Sequence, residues 1–362
     1  MEGGSRVSSV TITDVAARVG VSVATISRYL SGFNVRQKSE IESAIQELNY
    51  RPSAAARNLK SGRTGTIAIV VPDISNPFFS SIATGAEGAA GKDHMVMLVN
   101  TSASREREER VLGQLFGRVD GVILAPLQED DEGPSFFSKF GLPIVFVDRI
   151  TEDYEKFDSV LVDNVKGARL ATEHLIALGH KKIATIVGPL NTTPGKLRAE
   201  GYKTTLRKRG IELHKRYLVE SDFTREGGYA SMVKLLQEST PPTAVITGNN
   251  LMTIGALEAL KDNGVRIPED ISIIGFDDLE FSTLIEPSLT AIYRDFEAQG
   301  AEAMRILLAR LTHNQSAISN AELSPQHSMV DVHLIERGSC APPKELSTAV
   351  PARARAVAKS KS

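Results

Sequence analysis

One cysteine, Cys340, stands in 362 residues. A lone thiol closes no disulfide within the chain, and without a Cys/His cluster at ligand spacing a structural zinc site is unsupported. We therefore expect no metal and no cofactor. No run of about 18 apolar residues occurs, and the N-terminus, MEGGSRVSS, lacks the apolar stretch of a signal peptide. The expectation is a cytoplasmic protein that neither spans nor binds a membrane. There is no P-loop, no GxSxG nucleophile elbow and no zinc-ligand pair, and the glycines from Gly85 to Gly91 do not have the spacing of a phosphate fingerprint. No catalytic residue is assigned, and the chain reads as a binding protein rather than an enzyme.

Charge is present but unevenly placed. Residues 1–65 carry nine Lys/Arg against five Asp/Glu, and residues 338–362 carry five against one. The whole chain is −2, so each end is +4 and residues 66–337 stand at −10. Basic ends on an acidic body point to a polyanionic partner at one end at least. The length predicts two or three domains.

Residues 11–31, TITDVAARVGVSVATISRYLS, organise the N-terminal part. Val15, Ala16 and Val19, then Ile26 and Leu30, recur at helical spacing on two segments too short to persist alone. They must pack on one another. Gly20 stands where the turn needs a residue free of Cβ strain, and Thr13 and Ser22 stand where hydroxyl caps would take the first free N–H groups. The pattern fits a helix-turn-helix or an ordinary helical hairpin; in the former, the second helix, about Val23 to Leu30, lies in a DNA major groove. Asn34 is placed to cap a third helix with the stripe Ile41, Ala44, Ile45 and Leu48, which ends by Tyr50, before Pro52. Pro52 opens a short Ala-rich segment through Lys60. Paired with a second copy it could push Leu59 into a base step from the minor groove; alone it is a tether.

From Thr66 the pattern changes to short apolar runs separated by amphipathic stretches: 66–72, 95–100, 121–126, 143–148, 159–163, 182–189, 243–249 and 271–277. Runs this rich in Val and Ile are parallel strands buried on both faces. Several end in polar residues (Asp73, Asn100, Asp148, Asn249, Asp277) that would line a crevice, which favours two doubly wound lobes over a closed barrel. Residues 295–312 read as a late helix, followed by an apolar run near His333 to Ile335. The basic end, 338–362, has too few large apolar residues to pack and is expected to be mobile, as is the Gly/Ser-rich start, 1–10.

With these parts in order, the chain resembles the LacI/GalR family of bacterial transcription regulators over about residues 11–337. The resemblance is carried by DVAARVGVSVATISRYL, ELNYRPSAAARNLKSG, IAIVVPDISNPFF, LRAEGY and GVRIPEDISIIGFDDLEFSTLIEPSLTAI. It implies a helix-turn-helix headpiece (11–51), a hinge helix and linker (52–65), and a core similar to periplasmic sugar-binding proteins. The core would divide into an N-lobe (66–162 and 294–326) and a C-lobe (163–293 and 327–337). It also implies a homodimer that reads a pseudo-palindromic double-stranded DNA operator. Two departures stand out: the loop SGFN after the recognition helix is shorter than usual, and Gln37-Lys38 replaces a common Thr-Arg.

By the same resemblance Val23 and Ala24 match the first base-reading positions and Arg28 a later one. Val and Ala can touch a thymine methyl, whereas Arg can bond guanine O6 and N7 together. Thr13, Ser22, Thr25 and Ser27 suit phosphate or turn contacts. Ala55, Ala56, Leu59 and Lys60 match the hinge helix. Asp277, Arg198, Asn249 and Asp148 match polar positions of the effector crevice, and Phe78, Phe79 and Phe223 could cover a flat ring face. Carboxylate and guanidinium pairs suit adjacent hydroxyls, which points to a sugar or sugar derivative as effector. A purine co-repressor, or a solute receptor without gene control, are the alternatives. Arg28→Ala is expected to cost about 1–3 kcal/mol of operator binding and relax a single base position, checked by titrating operator variants; equal losses on all variants would make it a backbone contact.

Overall fold

The computed structural model describes residues 10–30, 32–51, 63–127, 129, 135–151, 154–313 and 323–344. The hinge-helix residues Ala55, Ala56, Leu59 and Lys60, and the termini 1–9 and 345–362, lie outside the described residues. The chain divides into two compact units, residues 1–65 and 66–362. Among the described residues no helix is long and apolar enough to cross a membrane.

The first unit is a helical headpiece: α1 (Ile12–Val19), α2 (Val23–Leu30) and α3 (Lys38–Glu47). Val15, Ala16, Ile26, Ile41, Ala44 and Tyr50 form its small core. Gly20 ends α1 at φ 76°, a left-handed turn that only glycine takes without strain. The cap of α1 is Thr11, not Thr13: Thr11 Oγ1 accepts from the Asp14 N–H while the Asp14 carboxylate accepts from the Thr11 N–H at 2.8 Å. A Thr–Asp pair three apart closes this capping box, leaving Thr13 inside the first turn. Ser22 does cap α2, accepting from the Thr25 N–H at 3.2 Å. Asn34 does not cap α3; that helix starts after Gln37, which makes no side-chain cap bond.

The second unit holds two six-stranded sheets. The first runs β11-β5-β4-β3-β1-β2 and the second β12-β10-β9-β8-β6-β7. Their members are β1 Thr66–Val71, β2 Met95–Asn100, β3 Gly121–Leu124, β4 Ile144–Val147, β5 Asp158–Val162, β6 Ile183–Val187, β7 Leu218–Glu220, β8 Ala244–Thr247, β9 Ser272–Phe276, β10 Thr290–Arg294, β11 His327–Val330 and β12 Val332–Ile335. All neighbours are parallel except β10 and β12. The first sheet is covered by separate apolar layers around Ile69, Phe79 and Leu307 and around Val70, Leu112 and Phe146. The second is covered around Val245, Met252 and Leu260 and around Tyr202, Ile274 and Phe276. Burial on both faces explains the uninterrupted Val/Ile runs.

The chain passes between the lobes after β5, after β10 and between β11 and β12. Residues 327–330 therefore belong to the first sheet, and the lobe boundary expected at 326/327 falls at Asp331. A period-two pattern does not reveal which sheet an edge strand joins. The tail also begins later than expected. Ser339 is fully buried and its carbonyl accepts from the Ile273 N–H at 3.0 Å, so small polar residues dock by hydrogen bonding where large apolar ones are missing. Ile26→Ala is expected to remove about 2–5 kcal/mol from the headpiece and melt it ahead of the core, checked by hydrogen exchange resolved by segment.

Candidate functional site

In the headpiece, burial of Ile26 against α1 turns the opposite side of α2 outward. Val23, Ala24 and Arg28 lie exposed on it. The Thr25 hydroxyl is 3.0 Å from that of Ser22, and Ser27 is half-buried. Tyr29 turns inward, donating to Glu42 at 3.0 Å, and Arg18 pairs with Glu47 at 2.7 Å. These bonds tie α2 and α1 to α3 and set the pose of the exposed row.

In the core, each sheet has the same doubly wound order, with its topological switch between β1 and β3 or between β6 and β8. Crevices outside the carboxyl ends of strands open there. A cavity of about 600 Å³ lies at these ends, and all seven crevice residues read from the sequence line it: Phe78, Phe79, Asp148, Arg198, Phe223, Asn249 and Asp277. Asp148 follows β4 and Asp277 follows β9, the corresponding strands of the two sheets. Both have left-handed backbones, φ 65° and 77°. An aspartate tolerates that conformation, which turns the carboxylate back toward the strand ends.

Arg294, at the end of β10, occupies the space between them. Its Nη1 donates to Asp148 Oδ1 at 2.8 Å and its Nε to Asp277 Oδ1 at 2.7 Å, while the guanidinium lies 4.1 Å from the centre of the Phe78 ring. Burial pushes the Asp148 carboxyl up, but Arg294, Arg149 and Arg198 outweigh it and hold it below the usual range. Sequence reading missed Arg294 because TAIYRD carries no run long enough to mark a strand end.

Phe78 and Phe79 serve both as core and as wall: they are buried in the first lobe and exposed only toward the cavity. Phe223 lies against Gly188, where an added Cβ would stand 1.9 Å from the ring. Asn249 caps the helix Asn250–Asp262, accepting from the Met252 N–H at 2.8 Å and donating to the Phe223 carbonyl at 3.0 Å. Its amide thereby positions Phe223. Arg198, on the helix Thr193–Lys208, donates from Nε to Asn164 at 2.8 Å and from Nη1 to the Gly248 carbonyl. Burial lowers its pKa to about 10. Asp278, beside Asp277, is taken up by Arg337 at 2.7 Å.

Contacts between the lobes surround the cavity. Asn250 donates to Asn76 at 2.8 Å, and the Thr193 N–H and hydroxyl donate to Glu129, the former at 2.6 Å. Glu129 and Glu108 are both pushed up to about 7 by burial, against hydrogen bonds from Thr193 and from the Leu127 N–H respectively and against the charge of Arg149.

A three-helix headpiece with an exposed recognition face, followed by two doubly wound lobes around a polar cavity, defines a ligand-responsive DNA-binding protein. The comparisons agree. Residues 11–53 match the family described as "Bacterial regulatory proteins, lacI family", and residues 172–340 match "Periplasmic binding protein-like domain". The chain is 34% identical over 335 residues to the ribose operon repressor of Escherichia coli (strain K12), covering 91% of this chain and 99% of that protein. Among solved structures it is similar to a transcriptional regulator CelR–cellobiose complex (TM-score 0.69, 32% identity, 91% of this chain and 99% of the other). It is also similar to a lac repressor dimer bound to operator and the anti-inducer ONPF (TM-score 0.80, 28% identity, 92% and 99%). The chain belongs to the lacI family of bacterial regulatory proteins. It is a DNA-binding transcriptional regulator, and the relatives named are regulators rather than enzymes.

Arg294→Met leaves two aspartates facing each other in a buried site; a loss of about 3–5 kcal/mol of core stability is expected in urea unfolding. The raised carboxyls set a pH window. For Glu108, a folded pKa of about 7 against an ordinary 4.5 means that the stability of the protonated form is present below 4.5 and lost as pH rises through about 7. Glu108→Gln, which keeps an acceptor for Leu127, is expected to raise stability at pH 8 by roughly 2 kcal/mol and leave pH 4.5 unchanged, measured by denaturant titration at both values.

Proposed function

We propose that this regulator is a repressor whose hold on a pseudo-palindromic operator is set by a small polyol, a sugar or sugar derivative, bound between the core lobes. The observation that carries this reading is convergence. Residues from separate stretches of sequence meet around one cavity in which carboxylates, guanidinium groups and phenylalanine faces are presented together. That mixture suits hydroxyls and the apolar face of a sugar ring. The relatives support it, since one is named for ribose and another was solved with cellobiose. The chain acts by binding alone, without catalysis, in the cytoplasm.

The operator is read by Val23, Ala24 and Arg28, with Thr13, Ser22, Thr25 and Ser27 on the backbone and the segment containing Ala55, Ala56, Leu59 and Lys60 completing the contact. A homodimer presents two headpieces. The exposed Met95, Met97 and Leu98 on edge strand β2, with Leu284, support an apolar surface for the second copy. Ligand between the lobes competes with or reinforces the bonds of Arg294, Asn250 and Thr193, shifting closure by hinge motion and with it the dimer contacts. Retardation of DNA from upstream of its own gene, with and without ribose or cellobiose, tests the reading. The expected change in operator affinity is about 5–150-fold, with a steep loss at higher salt. Failure to retard any promoter fragment at low salt overturns it, as does a strictly monomeric protein on its operator.

A further inference from the structure

The cavity holds five charged side chains that are at least nine-tenths buried: Asp148, Arg149, Arg198, Asp277 and Arg294. Both carboxylates are already engaged by Arg294. Arg198 is left over. It is 3% exposed, its bonds go to neutral acceptors, its plane lies 3.7 Å from the Phe276 ring centre, and its Nη2 has no hydrogen-bond partner. No carboxylate among the described residues forms an ion pair with it. Arg149 Nε is likewise without a hydrogen bond, 3.9 Å from Asp148.

A buried cation with an unmet donor is costly, and the cost is recovered by whatever brings an acceptor. A hydroxyl supplies the acceptor but leaves the charge uncompensated. A carboxylate or phosphate oxygen supplies both, through the planar fork that guanidinium offers. The other acids do not already fill this role. Asp73 and Asp222 lie at the rim and accept from Ser75 and Thr224, and Glu108 and Glu129 beside Arg149 are only partly ionised at neutral pH. A volume of about 600 Å³ is far more than an inorganic ion needs and fits a small organic molecule.

Resting on the small-molecule reading above, we propose that the cleft selects a polyol that carries an anionic group, a carboxylate or a phosphate ester, over the corresponding neutral sugar. The anionic group lies at Arg198, and the hydroxyls lie toward Asp148 and Asp277.

Calorimetric titration of the full-length protein with matched pairs tests this: D-gluconate or D-glucose 6-phosphate against D-glucose, D-galacturonate against D-galactose, and D-ribose 5-phosphate against D-ribose. At least one anion is expected to bind at least about tenfold tighter than its neutral parent, with the advantage shrinking in high salt. The carboxylate and phosphate arms distinguish the two sources of charge. Arg198→Gln is expected to abolish the advantage and Arg198→Lys to keep part of it; if either variant fails to fold, the paired wild-type titrations still decide. Neutral sugars binding as tightly as the anions overturn the proposal. So does an absence of anion binding by a protein that still retards its promoter DNA, and in both cases the regulator reading survives. Loss of DNA retardation itself would remove the reading on which the proposal stands.

Discussion

Arg294 sits with its guanidinium between two aspartates that belong to different sheets, and the closed arrangement of the core depends on that charge. Remove the cation and two carboxylates with left-handed backbones would face each other out of water. With it, each is satisfied, and the carboxyl ends of β4, β9 and β10 are drawn to one point. The lobes have corresponding strand orders, so corresponding turns deliver corresponding groups: Asp148 from one half, Asp277 from the other. The apolar layers hold each lobe separately. The polar bonds at the strand ends, Arg294 to Asp148, Asn250 to Asn76 and Thr193 to Glu129, hold them to each other.

That division of labour suits a regulator. Hydrophobic burial within a lobe is large and indifferent to small solutes, whereas hydrogen bonds between lobes can be exchanged for bonds to a ligand at little net cost. Arg198 is buried without an ionic partner in the same cavity, so the site holds unmet bonding capacity at the place where exchange would occur. The headpiece is built the other way: a core of a few residues, with hydrogen bonds and ion pairs from α1 and α2 to α3 fixing the pose of one exposed face.

Much of this was legible beforehand. The Val/Ile runs marked the inner strands because burial on both faces forbids polar residues there. The strands that escaped notice, Leu218–Glu220, Thr290–Arg294 and His327–Val330, are short or lie at or near sheet edges, where the composition is mixed. Thr13 was preferred over Thr11 as a cap because two threonines two apart both look suitable, and only the bond with Asp14 distinguishes them. Asn34 was a reasonable cap by type, but α3 begins later, after Gln37.

By itself the order of residues determined the element types, the helix-turn-helix pattern, the two-lobed architecture and the identity of the strand-end residues at the cavity, because each follows from local periodicity or a short motif. Tertiary structure alone decided that Arg294 lies between Asp148 and Asp277, that Asn249 serves Phe223, and that Ser339 docks on β9. The physical reason is distance along the chain. A partner 146 residues away is chosen by how the sheets are wound together, which no local pattern records.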